Sequence, residues 1–108
     1  YWFYMLRVDE KELGVSRADF VKALVAEGVP ICSGYAPLYT FPCVTSLDTE
    51  RMIGTKIDIT PLPACERASY EEGSWMGQSV LLADRATLDA IVEAIIKVWE
   101  HADELKNA

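Results

Sequence analysis

Residues 84–100, DRATLDAIVEAIIKVWE, carry the strongest structural signal of the chain. Apolar side chains recur at intervals of three and four residues, which places them along one face of a helix; they are Leu88, Ile91, Val92, Ile95, Val98 and Trp99. Asp84 is of the type that caps a helix N-terminus, and Glu93 stands at the favourable spacing for an ion pair with Lys97. The stretch predicts an amphipathic helix that covers a hydrophobic core.

The segments before this helix predict a short helix and a strand. Residues 64–72 are typical of a helix with three acids, Glu66, Glu71 and Glu72, and Gly73-Ser74 then interrupts the pattern. Residues 75–82, WMGQSVLL, directly follow this break. They predict a strand that leads into the C-terminal helix.

The N-terminal third predicts a strand, a helix and a second extended segment. Residues 1–8, YWFYMLRV, are typical of a strand, and residues 9–14 of a charged turn. Ser16 is the predicted N-cap, in a capping-box relation with Asp19, of a helix over residues 17–27 that Gly28 ends. Residues 29–32 then resume extended structure, where Pro30 favours a sheet edge or a strand start because it cannot donate to a ladder.

Residues 33–63 have no regular apolar spacing and contain several prolines and glycines. The aromatic residues Tyr35, Tyr39 and Phe41 lie among them. A connection this long within a compact domain is usually functional or covered by another element. Free loops rarely carry so much aromatic area, so we predict that this loop docks onto another surface.

The order β-α-β-loop-α-β-α predicts an α+β fold, a small three-stranded sheet with helices packed on it. A chain of 108 residues has the size of one domain, which we expect to span residues 1–108.

Charge and cysteine content narrow the classes of function. A net charge of −7 argues against a nucleic acid or an anionic membrane as partner, since both require a basic surface. No apolar run reaches the length of about 18 residues that a membrane span needs. Three cysteines, Cys32, Cys43 and Cys65, form an odd set without CxxC spacing, which predicts reduced, partly buried thiols in a cytoplasmic protein.

The residues taken alone indicate no complete catalytic or metal site. His101 stands near the end of the last helix beside acids, where a structural role is expected, so neither a catalytic triad nor a zinc site is predicted. The chain has no Walker or GxGxxG loop for a phosphate. A stand-alone enzyme would have to use Cys32, which has no basic neighbour in the sequence to activate its thiol.

Five segments in order resemble the C-terminal small domain of the DegT/DnrJ/StrS-type sugar aminotransferases. They are YWFYMLRVD, LGVSRADFVKALVAEGV, GYAPLY, ACERASYEEGSWMGQSVLL and DRATLDAIVEAIIKVWE. The resemblance covers essentially all 108 residues. Each motif alone is common, whereas the ordered set is fairly specific.

The resemblance implies a homodimeric enzyme of fold type I that uses pyridoxal phosphate. Such an enzyme transfers an amino group from an amino acid, often glutamate or glutamine, to a keto-sugar or keto-cyclitol. A lysine of the large domain binds the cofactor, so we expect neither catalytic nor cofactor-binding residues in this chain. Its own lysines fall outside that sequence context: Lys11, Lys22, Lys56, Lys97 and Lys106.

In the family, the small domain borders the substrate entrance, which implies substrate contacts from Tyr35, Tyr39, Trp75 and Gln78. Hydroxyl and amide groups suit the hydroxyls of a sugar or cyclitol, and an aromatic face suits the C–H edges of its ring. Enzymes of the cyclitol branch more often carry a histidine where Gln78 stands. The alternative is that Trp75 and Tyr39 fill the interface between the two domains.

The first strand begins without a polar lead-in, which is unusual for a free end. We therefore expect a longer protein, in which a cofactor-binding large domain precedes Tyr1. The alternative is an autonomous protein-interaction module that shares the small-domain fold. Its partner would then bind the exposed aromatic residues Tyr1, Trp2, Tyr35, Tyr39 and Phe41.

Overall fold

The computed structural model describes residues 2–56 and 60–106. They form an α+β domain whose three-stranded sheet consists of β1 (Phe3–Arg7), β2 (Ile31–Ser33) and β3 (Gly73–Gly77). Both β1 and β2 pair with β3 in antiparallel orientation, so β3 lies in the centre. The predicted fold class is thus confirmed, while Tyr1 and residues 57–59 of the predicted loop lie outside the described residues.

Helical segments precede, connect and follow the strands. The α-helices are α1 (Glu10–Leu13), α2 (Arg17–Ala26), α3 (Pro42–Thr45), α4 (Leu47–Ile53), α5 (Pro63–Glu66), α6 (Gln78–Leu81), α7 (Arg85–Glu100) and α8 (Ala102–Leu105). A 3₁₀ turn spans Leu38–Thr40, and a π-helical turn, Arg67–Glu72, continues α5 up to β3.

The hydrophobic core lies between one face of the sheet and the helices α2 and α7. Alternation along β3 directs Ser74 and Met76 towards this core. Its apolar members are Val8, Val15, Phe20, Val21, Leu24, Val29, Ile31, Met76, Val80, Val98 and Ala102. Burial of each large side chain contributes about 1.5–3 kcal/mol, so this cluster is the main source of stability.

The ends of α2 follow the sequence prediction. The Ser16 hydroxyl accepts a hydrogen bond from the Asp19 N–H at 3.1 Å and donates one to the Asp19 carboxylate at 2.6 Å. At the other end Gly28 adopts φ 88°, a left-handed conformation that glycine tolerates. The Val29 N–H then donates to the Leu24 carbonyl at 2.9 Å, which satisfies a carbonyl at the end of the helix.

Two local predictions are wrong. The charged turn over residues 9–14 is the short helix α1, because the Asp9 side chain caps it and Gly14 ends it with φ 81°. The strand predicted over residues 75–82 begins two residues earlier and ends at Gly77. From Gln78 onward the chain turns into α6, and both Val80 in this helix and Met76 in β3 are buried in the core.

The predicted loop over residues 33–63 contains more regular structure than its sequence suggests. The 3₁₀ turn, α3 and α4 pack mainly against one another, and we call residues 38–56 the arm. The radius of gyration is 17.6 Å, compared with about 13 Å for a compact domain of about 100 residues. The arm therefore extends away from the core.

The C-terminal helix is confirmed, with the Asp84 carboxylate accepting from the Thr87 N–H at 2.9 Å. Its apolar face is less buried than predicted, because Val98 is buried whereas Trp99 remains 64% exposed. The predicted Glu93–Lys97 ion pair is wrong. Lys97 instead reaches the C-terminal end of α2 and pairs with Glu27 at 2.8 Å.

Candidate functional site

The face of the sheet opposite the core carries a cluster of aromatic and apolar side chains. Strand register places Met5 and Cys32 on either side of Trp75 on this face. Met5 and Cys32 are exposed and Trp75 is half-buried. Together with Phe3 and Tyr35 these residues form a surface that we call the aromatic face.

The rings of the aromatic face contact one another around Trp75. Phe3 stacks on Trp75 with ring centroids 5.2 Å apart and planes inclined by 25°. Tyr35 lies on the same indole with centroids 4.6 Å apart and planes inclined by 55°. Each such pair contributes about 0.5–1.5 kcal/mol beyond area burial. The contacts fix the rings while leaving Tyr35 66% exposed to a ligand or another surface.

Two glycines lie beside this cluster. Gly77 is directly opposite Phe3 in the β1–β3 register, and a Cβ atom added there would meet only the Ser79 hydroxyl, at 3.9 Å. Gly34 follows β2 and donates its N–H to the Gly73 carbonyl at 3.1 Å. This hydrogen bond holds Gly34, the residue before Tyr35, beside β3.

Tyr39 has a different environment. Its hydroxyl donates to the Glu66 carboxylate at 2.7 Å, and the Leu62 N–H donates to the same hydroxyl at 3.5 Å. The hydrogen bond with Glu66 is the main reason that the pKa of Tyr39 lies above its ordinary value. Tyr39 thus links the start of the arm to α5 through a hydrogen bond.

The four predicted substrate residues therefore occupy three settings. Tyr35 and Trp75 are in direct contact. Tyr39 is bonded to α5, and Gln78 is exposed as the first residue of α6. Gln78 directly follows Gly77, the residue opposite Phe3, so it begins α6 at one end of the aromatic face. The prediction of Gln78 within a strand was wrong, because β3 ends before it.

Three residues of this region were missed from the sequence. Phe3 and Met5 belong to the aromatic face, and their alternate positions in β1 are the signal that could have identified them. Arg17 reaches the far end of the π-helical turn, where its guanidinium donates to the Gly73 carbonyl at 2.8 Å. No local pattern indicates that contact, since the two residues are far apart in the chain.

A mixed-charge cleft of about 450 Å³ lies beside β1. The Glu72 carboxylate in it accepts from Arg7 at 2.9 Å and pairs with Arg67 at 3.0 Å. Further charged residues of both signs line it, namely Asp9, Glu10, Lys11 and Glu71. The opposite charges offset one another, so the cleft has no strong preference for an anion or a cation.

The remaining reactive groups do not assemble into a second site. Within residues 2–56 and 60–106, no cluster of histidine, cysteine and acidic residues could hold a metal. His101 lies at the end of α7 with Nδ1 2.9 Å from Glu104. Cys32 and Cys43 are exposed, so the prediction of partly buried thiols is wrong for both, and Cys65 is half-buried as expected.

The helices of the described part are too short or too polar to cross a bilayer. The prediction of a cytoplasmic location stays a prediction.

Comparison with known proteins relates nearly the whole chain to aminotransferases. It is 33% identical over 116 residues to the "Putative L-glutamine:3-amino-2,3-dideoxy-scyllo-inosose aminotransferase" of Streptoalloteichus tenebrarius, a match that covers 98% of this chain and 28% of the relative. A protein of the same name from Streptomyces kanamyceticus is 26% identical over 107 residues, which cover 88% of this chain and 25% of the relative. The chain thus spans about a quarter of the length of these relatives. No family model matches the chain, and no solved structure matches it significantly.

Proposed function

We propose that this chain is the C-terminal small domain of a pyridoxal phosphate-dependent aminotransferase of the DegT/DnrJ/StrS type. The observation that carries the proposal is the similarity over 98% of the chain to a protein named as an aminotransferase of an amino-inosose. The whole enzyme would transfer an amino group from an amino acid to a keto-cyclitol or keto-sugar. The α+β fold, with a central sheet that is covered on one face, is compatible with a domain that docks onto a larger one.

The described residues of this chain do not fit a site for pyridoxal phosphate. Lys97 pairs with Glu27 and Lys106 with Asp103. The other lysines, Lys11, Lys22 and Lys56, are exposed. None of them lies in a pocket among the residues that contact Tyr35 or Trp75, so the cofactor would be held by residues of the large domain.

The aromatic face is the part of this chain best suited to the substrate. The Tyr35 ring, which is largely exposed beside Trp75, suits the C–H edges of a cyclitol or sugar. The exposed amide of Gln78, at the end of that face, offers both a donor and an acceptor to hydroxyl groups. Tyr39 would act indirectly, because its hydroxyl already donates to Glu66 and accepts from the backbone.

The test is to compare variants of the enzyme encoded by the complete reading frame. Trp75→Ala and Gln78→Ala should raise the KM for the keto-cyclitol about tenfold, the factor expected for the loss of one good polar or aromatic contact. The half-reaction with L-glutamine should be nearly unchanged, because the donor binds before the cyclitol. Lys22→Ala, on the exposed side of α2, is the matched control. Equal losses in both half-reactions would instead assign these residues to the interface between the domains.

An autonomous interaction module is the second candidate, and the exposed apolar side chains favour it. Trp2, Leu38, Leu47 and Met52 are all largely exposed in the described structure. A reading frame that begins at or just before Tyr1 would support the module. A frame that continues upstream through a domain with a cofactor-binding lysine would refute it.

A further inference from the structure

Arg17 connects two parts of the molecule that are distant in sequence, the start of α2 and the end of the π-helical turn. It is the first residue of α2, and its guanidinium extends to the end of the π-helical turn. One Nη donates to the Gly73 carbonyl at 2.8 Å and to the Ser69 carbonyl at 3.3 Å, and the other donates to the Tyr70 carbonyl at 2.6 Å. A single side chain thus binds the backbone carbonyl groups of three residues at the end of the turn and the start of β3.

The Gly73 carbonyl is shared between Arg17 and the segment that carries Tyr35. A carbonyl oxygen has two lone pairs, and here one donor is Arg17 Nη and the other is the Gly34 N–H at 3.1 Å. Gly34 immediately precedes Tyr35, and Gly73 lies two residues before Trp75. The orientation of this one carbonyl therefore influences both rings of the Tyr35–Trp75 pair.

The site requires an arginine in particular. The planar guanidinium presents several N–H groups in a fixed fork, whereas a lysine ammonium is a compact group on a flexible stem. Arg17 is half-buried and its Nε has no partner among the described residues, so the contact depends on the two Nη groups. A lysine would keep the charge and lose the simultaneous contact with three carbonyls.

We propose that Arg17 is the positioning residue of the aromatic face, fixing the Tyr35 ring against Trp75 through the Gly73 carbonyl. Its contact with a π-helical turn agrees with this, since such turns occur frequently at functional sites. The effect of Arg17 on the geometry of the Tyr35–Trp75 pair does not depend on the proposed function. Only its consequence for substrate binding rests on that function.

The first experiment measures ring geometry in the ligand-free chain by NMR. In the wild type, the Trp75 ring current should shift the Tyr35 ring protons away from their values in a free peptide. Arg17→Lys should abolish most of that shift, and exchange of the Gly34 amide should accelerate about tenfold, as expected for the loss of one hydrogen bond. Arg85→Lys is the matched control, because Arg85 pairs only with Asp89 on the surface of α7 in the described structure.

The amide signals of α7 report whether the variant remains folded. An unchanged Tyr35 shift in a folded Arg17→Lys variant would overturn the proposal. If that variant does not fold, the rate of hydrogen exchange at the Gly34 amide of the wild type tests the proposal instead. Protection of Gly34 that matches the protection of β3 supports the proposal, and fast exchange overturns it.

A second experiment separates this inference from the proposed function. In the enzyme encoded by the complete reading frame, Arg17→Lys should raise the KM for the keto-cyclitol with little change in the L-glutamine half-reaction. A lost Tyr35 shift with an unchanged KM would support Arg17 as the positioning residue and refute the role of the aromatic face in substrate binding. A retained shift with a raised KM would refute the positioning role.

Discussion

Gly73 is the residue at which the sheet, the π-helical turn and Arg17 meet. Its carbonyl accepts from both Arg17 and Gly34. A Cβ atom added at Gly73 would lie 2.5 Å from the Ala68 carbonyl oxygen, a distance at which something must shift. The absence of a side chain at this position is therefore a steric requirement of the turn.

We expect Gly73→Ala to destabilise the fold by about 1–3 kcal/mol, the usual cost of forcing an atom into a packed site. The reason is that the atom it meets belongs to the backbone and moves only if the π-helical turn moves. Gly77→Ala is the control on the same strand, because its Cβ would come no closer than 3.9 Å to the Ser79 hydroxyl. Urea unfolding followed by circular dichroism measures the stability of both variants. Equal unfolding midpoints for the two would contradict the steric argument.

The hydrogen bond between Tyr39 and Glu66 predicts a pH dependence at the base of the arm. It raises the pKa of Tyr39 above its ordinary value of 10.0, so its contribution to stability is complete below that pH and is lost as the pH rises through the folded pKa. In NMR titrations with ring-labelled tyrosine, the pKa of Tyr39 should lie above its ordinary value of 10.0. Glu66→Gln should lower the Tyr39 pKa towards the ordinary value. A Tyr39 curve that does not respond to this change would exclude Glu66 as the cause.

At the scale of elements, local chemistry determines where the helices begin and end. Ser16 and Asp84 each accept a hydrogen bond from the N–H three residues ahead, and Gly28 ends α2 in a left-handed conformation. These features depend on neighbours in the chain, so they could be predicted from the sequence. The α2–α7 pairing of Glu27 with Lys97 could not, because it depends on how two distant helices pack.

The cap of α7 predicts a stability change at acid pH. The Thr87 N–H lowers the pKa of Asp84 below its ordinary value of 3.8, so the stabilisation is present above that value and is lost as the pH falls through the folded pKa. Asp84→Ala should lower the unfolding midpoint at pH 7 and remove this part of the acid dependence. Asp84→Asn keeps an oxygen that can accept from Thr87, so it should retain more stability than Asp84→Ala. Thermal unfolding between pH 2 and pH 7 compares the three proteins, and identical acid profiles would refute the assignment to Asp84.

The candidate site was only partly predictable from the sequence. Tyr35 and Trp75 were identified by residue type and by resemblance, and the structure brings them into contact. Phe3 lies beside them because of the strand register, and Arg17 reaches the site through a contact with Gly73, which is distant in the chain. Tyr39 and Gln78 depart from the ring cluster because a local hydrogen bond and a helix start determine their positions.

At the scale of the whole molecule, apolar surface is distributed over the arm and the outer side of α7. Met52 on the arm is 87% exposed, and Trp99 on α7 is also largely exposed. Large exposed apolar patches are rare on monomeric proteins and usually mark sites of interaction. The overall dimensions of 52 × 33 × 19 Å show how far the domain departs from a sphere.

We therefore expect the 108-residue chain to self-associate and to bind a hydrophobic dye. Met52→Glu and Leu47→Glu, both on exposed positions of α4, should weaken the association by placing charge on the arm. Lys22→Gln, on α2, lowers the net charge by one unit, as each of those two substitutions does, but away from the arm, and it serves as the control. Sedimentation equilibrium over a range of concentrations measures the effect. A monomer at millimolar concentration that binds no dye would contradict the expectation.

The order of the strands has a consequence for biosynthesis. The central strand β3 is the last of the three in the chain, and β1 and β2 pair with it and not with each other. During synthesis on the ribosome, the segment Phe3–Arg7 therefore cannot pair with β3 until Gly77 has left the exit tunnel. During that interval the nascent chain exposes a strand prone to pair with other chains.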